Sequence, residues 1–156
     1  MKANAVIVIS ISLLFLACSG GQKAKTNELN DASGQAKEKV SSVNRLANLE
    51  DGQVGIYYFR TSLRCETCEA IEQIVKGELD GTYAEKVKKG EIVFRQFNLD
   101  DEKVADFALQ YDVVFKSLII LNNEKHINLT NEAFLYALTK PEKLKGIIEK
   151  NIDKLL

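Results

Sequence analysis

The chain has 156 residues, 46% of them hydrophobic, and a formal net charge of −1. That is the length of one domain, with enough apolar content for a single core. The near-neutral balance gives no electrostatic case for nucleic acid or for an anionic membrane surface as a partner. The N-terminus reads "MKANAVIVISISLLFLACSGG". Lys2 supplies a positive start, and residues 5–16 form an apolar run too short to span a bilayer comfortably, the pattern of a cleaved export signal.

The apolar run leads directly into Leu16-Ala17-Cys18, which resembles the lipobox of bacterial lipoproteins, with Phe15 where that family more often has Leu. The resemblance implies that residues 1–17 are removed and that Cys18 becomes a lipidated first residue. The protein would then be anchored in the bacterial cell envelope, facing the periplasm or the exterior, with the membrane as a partner through the lipid. Residues 18–50 are rich in Lys, Gln, Asn, Ser, Glu and Gly and read as a polar tether. Val40, Val43, Leu46 and Ala47 have helical spacing, so the end of the tether is expected to pack on the domain. Of three cysteines, Cys65 and Cys68 are then the two left as thiols. In an oxidising compartment their default partners are each other.

The folded domain is expected over residues 51–156. Residues 54–59, "VGIYYF", are β-branched and aromatic without polar alternation, as in a central strand buried on both faces. From Glu66 the pattern is helical, with Ala70, Ile71, Ile74 and Val75 on one stripe, and the helix is expected to bend or end around Gly77. A second helical piece over residues 82–89 stops at Gly90. "EIVFRQFNLD" reads as a strand with Ile92, Phe94 and Phe97 or Leu99 facing the core. "DEKVADFALQYD" reads as a short helix capped by Asp100 or Asp101, with Val104, Phe107, Ala108 and Tyr111 buried. "SLIILNNEKHINL" reads as two antiparallel strands around a turn at residues 122–125. The remainder is helical, divided at Pro141, which suits the first turn of the last helix.

The Cys-x-x-Cys pair lies where the first strand meets the first helix, in "YYFRTSLRCETCEAIEQIV". From the residues alone it is a redox couple, half of a metal site, or a structural staple. The order strand, helix, strand, helix, strand, strand, helix, with the dithiol at that junction, resembles the thioredoxin fold: an α/β domain with a central mixed sheet flanked by helices. Asn98-Leu99-Asp100 and Tyr111-Asp112-Val113 resemble the segments that precede its second helix and third strand. More narrowly, Tyr57, Tyr58, Phe59, Arg64, Cys65, Thr67, Cys68, Ile71 and Glu72 are similar to the thioredoxin-like family labelled ArsF-type nitrophenyl nitroreductase subunits. No segment resembles a flavin- or nicotinamide-binding site, so this similarity implies the fold and the dithiol, with no cofactor.

In such a fold Cys65 sits at a helix N-terminus, where free backbone N–H groups and the helix dipole favour thiolate. Cys65 is then the exposed nucleophile and Cys68, one turn on, the resolving thiol. Arg64 adds positive charge beside Cys65, opposed by Glu66 and Glu69. Thioredoxins place a cis-proline opposite the dithiol and a carboxylate beneath its second cysteine. Here those positions fall at Ser117, the expected substrate-docking residue, and at Phe59. Both departures imply a more specialised exchanger than thioredoxin itself. His126, the one histidine, falls on the hairpin away from the dithiol, and structural zinc needs four ligands; no bound metal is expected. The reading is a membrane-anchored thiol–disulfide oxidoreductase acting on a protein or small-molecule thiol or disulfide client. Its alternative is a binding module of the same fold for a soft metal, a metalloid or a protein client.

Overall fold

The computed structural model describes residues 47–156. The export signal, Cys18 and the tether up to residue 46 lie outside the described residues. Four strands form one sheet: β1 (Val54–Arg60), β2 (Ile92–Asn98), β3 (Ser117–Leu121) and β4 (His126–Asn128). Their order is β2-β1-β3-β4. β1 runs parallel to β2 and antiparallel to β3, and β4 closes the edge antiparallel to β3. The helices are α1 (Glu66–Asp80), α2 (Ala84–Lys88), α3 (Glu102–Ala108), α4 (Thr130–Tyr136) and α5 (Pro141–Asp153). A parallel pair needs a crossover, and α1 and α2 supply it between β1 and β2. β3 and β4 need only the short turn at residues 122–125, where Asn122 Oδ1 accepts from Glu124 N–H and Lys125 N–H. This mixed sheet flanked by helices is the thioredoxin-like α/β arrangement.

The absence of alternation in β1 follows from its central place, because each face has its own core. Even-numbered Val54, Ile56 and Tyr58 join Leu118 and Ile120 against α1, α4 and α5, through Ile71, Val75, Ala133, Leu144 and Ile148. Odd-numbered Tyr57 and Phe59 join Ile119, Leu121, Phe97, Phe107 and Ala108 on the face covered by α3. That second core is aromatic: Phe59 and Phe97 stack at 5.2 Å between ring centroids, and Phe107 meets Tyr111 edge-on at 5.3 Å. Tyr57, Tyr58 and Phe59 are all fully buried, so the three aromatics are core rather than a stacking platform. Ala47 belongs to the same aromatic core, and the Tyr57 hydroxyl donates to its carbonyl.

Two local expectations change. α1 does not end at Gly77 but continues to Asp80, where Gly81 N–H donates to the Gly77 carbonyl. A glycine inside a helix costs about 1 kcal/mol relative to alanine, and burial of Val75 and Leu79 on either side of it carries the helix through. On β2, Phe94 packs toward the aliphatic core whereas Phe97 and Leu99 pack on the aromatic one, so the strand serves both faces. Asp101 rather than Asp100 caps α3, accepting from Lys103 N–H at 2.9 Å.

Candidate redox site

The site is built at the C-terminal end of β1. After Arg60 the chain leaves the sheet through residues 61–64 and enters α1 with Cys65 as its N-cap, in extended backbone conformation. Cys65 Sγ accepts from Cys68 N–H at 3.2 Å, so the sulfur occupies the place a capping oxygen takes in other helices. One turn brings the two cysteines together: they are disulfide-bonded, with Cα atoms 5.0 Å apart. Their surroundings differ. Cys65 is exposed, whereas Cys68 is 2% exposed and faces inward. Only one end of the disulfide is open to an attacking thiolate.

The rest of the site corrects the sequence expectations in three places. Arg64 is exposed, but its guanidinium is held by Glu72 Oε2 at 2.6 Å. Glu72 also accepts from Lys76 at 2.7 Å and from Gln96 at 2.8 Å. Burial pushes the Glu72 carboxyl up, yet the hydrogen bonds from Lys76, Gln96 and Arg64 outweigh it and lower the pKa from 4.5 to about 2. The Arg64 charge is therefore matched one helical turn beyond the dithiol. Next, the β1 residue beneath Cys68 is Tyr58 and not Phe59: its hydroxyl donates to the Cys68 carbonyl at 3.2 Å, while Phe59 faces the aromatic core on the other side of the sheet. Burial raises the Tyr58 pKa further above its ordinary value of 10.0, so the phenol stays a donor at neutral pH.

The third concerns the strand opposite. Ser117 pairs with Phe59 across β1 and β3, which does set this loop beside the dithiol. However, Ser117 itself is buried, and its hydroxyl turns back to the Phe115 carbonyl at 2.9 Å. The neighbour that reaches the sulfurs is Lys116. Its Nζ lies 3.5 Å from Cys68 Sγ and donates to the Leu63 carbonyl at 2.7 Å. Sequence reasoning missed this residue. The one available signal was a lone cation between the apolar "VVF" and "SLII".

Large apolar side chains are exposed beside Lys116 and in the loop before α1. Leu63, Val114 and Phe115 are 77%, 72% and 62% exposed. From Lys116 a groove of about 660 Å³ runs past Val114, Phe115, Leu99 and Phe134. His126 is elsewhere: it pairs with Leu121, which pairs with Gly55 at the far end of β1 from the disulfide. Its ring meets Tyr111 edge-on at 5.6 Å. Among the described residues no group of three or more His, Cys, Asp and Glu is placed to hold a metal ion, and no helix is long and apolar enough to cross a membrane.

Fold and site together define a thioredoxin-like domain with a Cys65–Cys68 pair at disulfide distance, an arrangement suited to thiol–disulfide redox chemistry. No family model and no curated protein sequence matches the chain. Among solved structures, it is similar to the germline-specific thioredoxin protein Deadhead (Thioredoxin-1) from Drosophila melanogaster, at 15% identity and a TM-score of 0.44. The match covers 76% of this chain and 92% of that one. The thioredoxin-like arrangement is defined by the strand order and directions of the sheet.

Proposed function

We propose that this protein is a thiol–disulfide oxidoreductase of the cell envelope, held to the membrane through a lipid on Cys18 and exchanging through Cys65. The supporting observation is the asymmetry of the disulfide: Cys65 is exposed at the helix N-terminus and Cys68 is buried one turn on. A client thiolate reaches Cys65 Sγ and forms a mixed disulfide there. Cys68, within one turn, resolves it in the reverse direction. The exposed Leu63, Val114 and Phe115 offer apolar contact to a client at the same point. The finer resemblance to ArsF-type nitroreductase subunits adds no activity to this reading, because its matched residues supply a dithiol and no electron-carrying cofactor.

The test is turnover with a model dithiol and a model disulfide, together with trapping of clients in the native envelope. Cys68→Ser is expected to accumulate mixed disulfides through Cys65, and Cys65→Ser to accumulate almost none. Stoichiometric capture of Cu(I) or As(III) by the reduced pair, without turnover of any substrate, would replace this reading with a soft-metal binding module. The anchor is tested separately. Mass spectrometry of the native protein should find Cys18 as an acylated N-terminus, and Cys18→Ser should release the chain from the membrane. An unmodified mature chain beginning at another residue overturns the anchor and leaves the exchange chemistry standing.

A further inference from the structure

We propose that Lys116 is a catalytic cation of the exchange: its ammonium group receives the charge that arrives on Cys68 Sγ when a client opens the disulfide, and so biases the couple toward oxidising client dithiols. The proposal rests on the exchange reading above and extends it to the direction of electron flow. Cys68 Sγ is buried, so a thiolate formed there has little water to solvate it and needs a partner from the protein. Lys116 Nζ is 3.5 Å away, within reach of a charge-assisted contact to sulfur. The Leu63 carbonyl, accepting from the same Nζ at 2.7 Å, fixes the ammonium group between the loop before β3 and the loop before α1.

The cations Arg60, Arg64 and Lys76 near the site are directed elsewhere, Arg60 Nε to Gln96 Oε1 at 3.0 Å. Arg64 is paired with Glu72, and Lys76 with the same carboxylate. Glu66 and Glu69 lie in the first turn of α1, where their negative charge opposes a thiolate. Asp100 accepts from Ser62 N–H at 2.7 Å and feels Lys116 only through space. Among the described residues the β1 side chain beneath Cys68 is Tyr58, a phenol where a proton-carrying carboxylate would otherwise stand. Lys116 is thus the charged group in contact with the buried sulfur.

In the forward step a client thiolate attacks Cys65 Sγ. The client S–Cys65 bond forms, the Cys65–Cys68 bond breaks, and the electron pair goes to Cys68 Sγ as a thiolate facing Lys116. The client's second thiolate then attacks the client sulfur of the mixed disulfide and expels Cys65 as a thiolate at the helix N-terminus. The client dithiol has lost two electrons and the domain dithiol holds them. A leaving group stabilised as thiolate leaves faster, and stabilisation of the reduced form makes the couple more oxidising.

The experiment uses the full chain and two variants, Lys116→Met and Lys116→Arg. Equilibration against glutathione should show Lys116→Met about tenfold less readily reduced than wild type, equivalent to about 30 mV toward more negative potential, with Lys116→Arg recovering most of the difference. In a Cys65→Ser background, the thiolate absorbance of Cys68 should titrate about one pH unit or more higher once Lys116 is replaced by Met. Unchanged titration of Cys68 overturns the proposal, whatever the glutathione result. If the wild-type domain fails to exchange with any thiol, the oxidoreductase reading falls. In that case the Cys68 titration alone decides Lys116: a shift upholds its contact with the thiolate, and no shift ends it.

Discussion

The two sides of the disulfide carry their positive charge in opposite ways. Arg64 is adjacent to Cys65 in sequence, yet its guanidinium points along α1 to Glu72. Lys116 is 48 residues from Cys68, and its ammonium group touches the sulfur. The difference teaches that proximity along the chain does not deliver charge to a site when a better acceptor lies one turn away. Glu72, 13% exposed and hydrogen-bonded by Arg64, Lys76 and Gln96, is that acceptor. What the fold adds is the loop before β3, which crosses over the start of α1 and brings a cation from the other side.

The largest expected effect breaks the comparison at its centre. Glu72→Ala removes the acceptor from three donors at once and frees Arg64 beside Cys65. Its loss should lower the urea midpoint by an amount equivalent to about 1–3 kcal/mol, the scale for removing a charged partner from a hydrogen-bonded network. The same variant should make Cys65 alkylate faster at neutral pH once the dithiol is reduced. A slower or unchanged Cys65 would show that Arg64 does not turn to the sulfur when released.

Acid probes the same network without mutation. The folded pKa of Glu72, about 2, is below its ordinary value of 4.5, so the paired carboxylate binds fewer protons folded than unfolded. Its contribution to stability is full above about pH 4.5 and is lost as pH falls through about 2. Denaturation profiles should therefore weaken over that window in the wild type, and Glu72→Gln should flatten the loss. A wild-type profile no steeper than that of Glu72→Gln would refute the network's role.

A smaller effect is expected from Arg64→Ala. Because the guanidinium is directed to Glu72, the variant should move the Cys65 alkylation profile by less than Lys116→Met moves that of Cys68. Equal shifts would restore the simpler view in which the residue next to Cys65 activates it. The smallest effect lies away from the site. Gly77 has open space where a Cβ would sit, so Gly77→Ala should raise stability by roughly 0.5–1 kcal/mol. A loss of stability there would mean that α1 needs flexibility at that turn.

Much of this fold was legible in the chain because local rules and tertiary packing agree. The unalternating "VGIYYF" anticipated a strand covered on both faces, and Pro141 at the first turn of α5 marked a helix start. The antiparallel hairpin of β3 and β4 followed from its turn residues. Gly77 misled because intrinsic propensity is a weak term beside the burial of Val75 and Leu79. In the site, Cys65 at a helix N-terminus was readable from the motif and its place after a strand. The residue beneath Cys68 was not, since the resemblance to thioredoxins placed Phe59 there, and one residue along a strand changes the face. Lys116 was beyond reach for a different reason. Its contact depends on the path of a loop that no periodicity encodes, and its neighbour Ser117 drew attention as the position opposite the dithiol.

The most direct test of the account asks which sulfur a client meets first. Oxidised wild-type protein would be exposed briefly to limiting glutathione, quenched in acid and mapped by mass spectrometry for the site of the glutathione adduct. The account predicts glutathione on Cys65, with Cys68 present as the free thiol. Adduct on Cys68, or equal amounts on both cysteines, would contradict it.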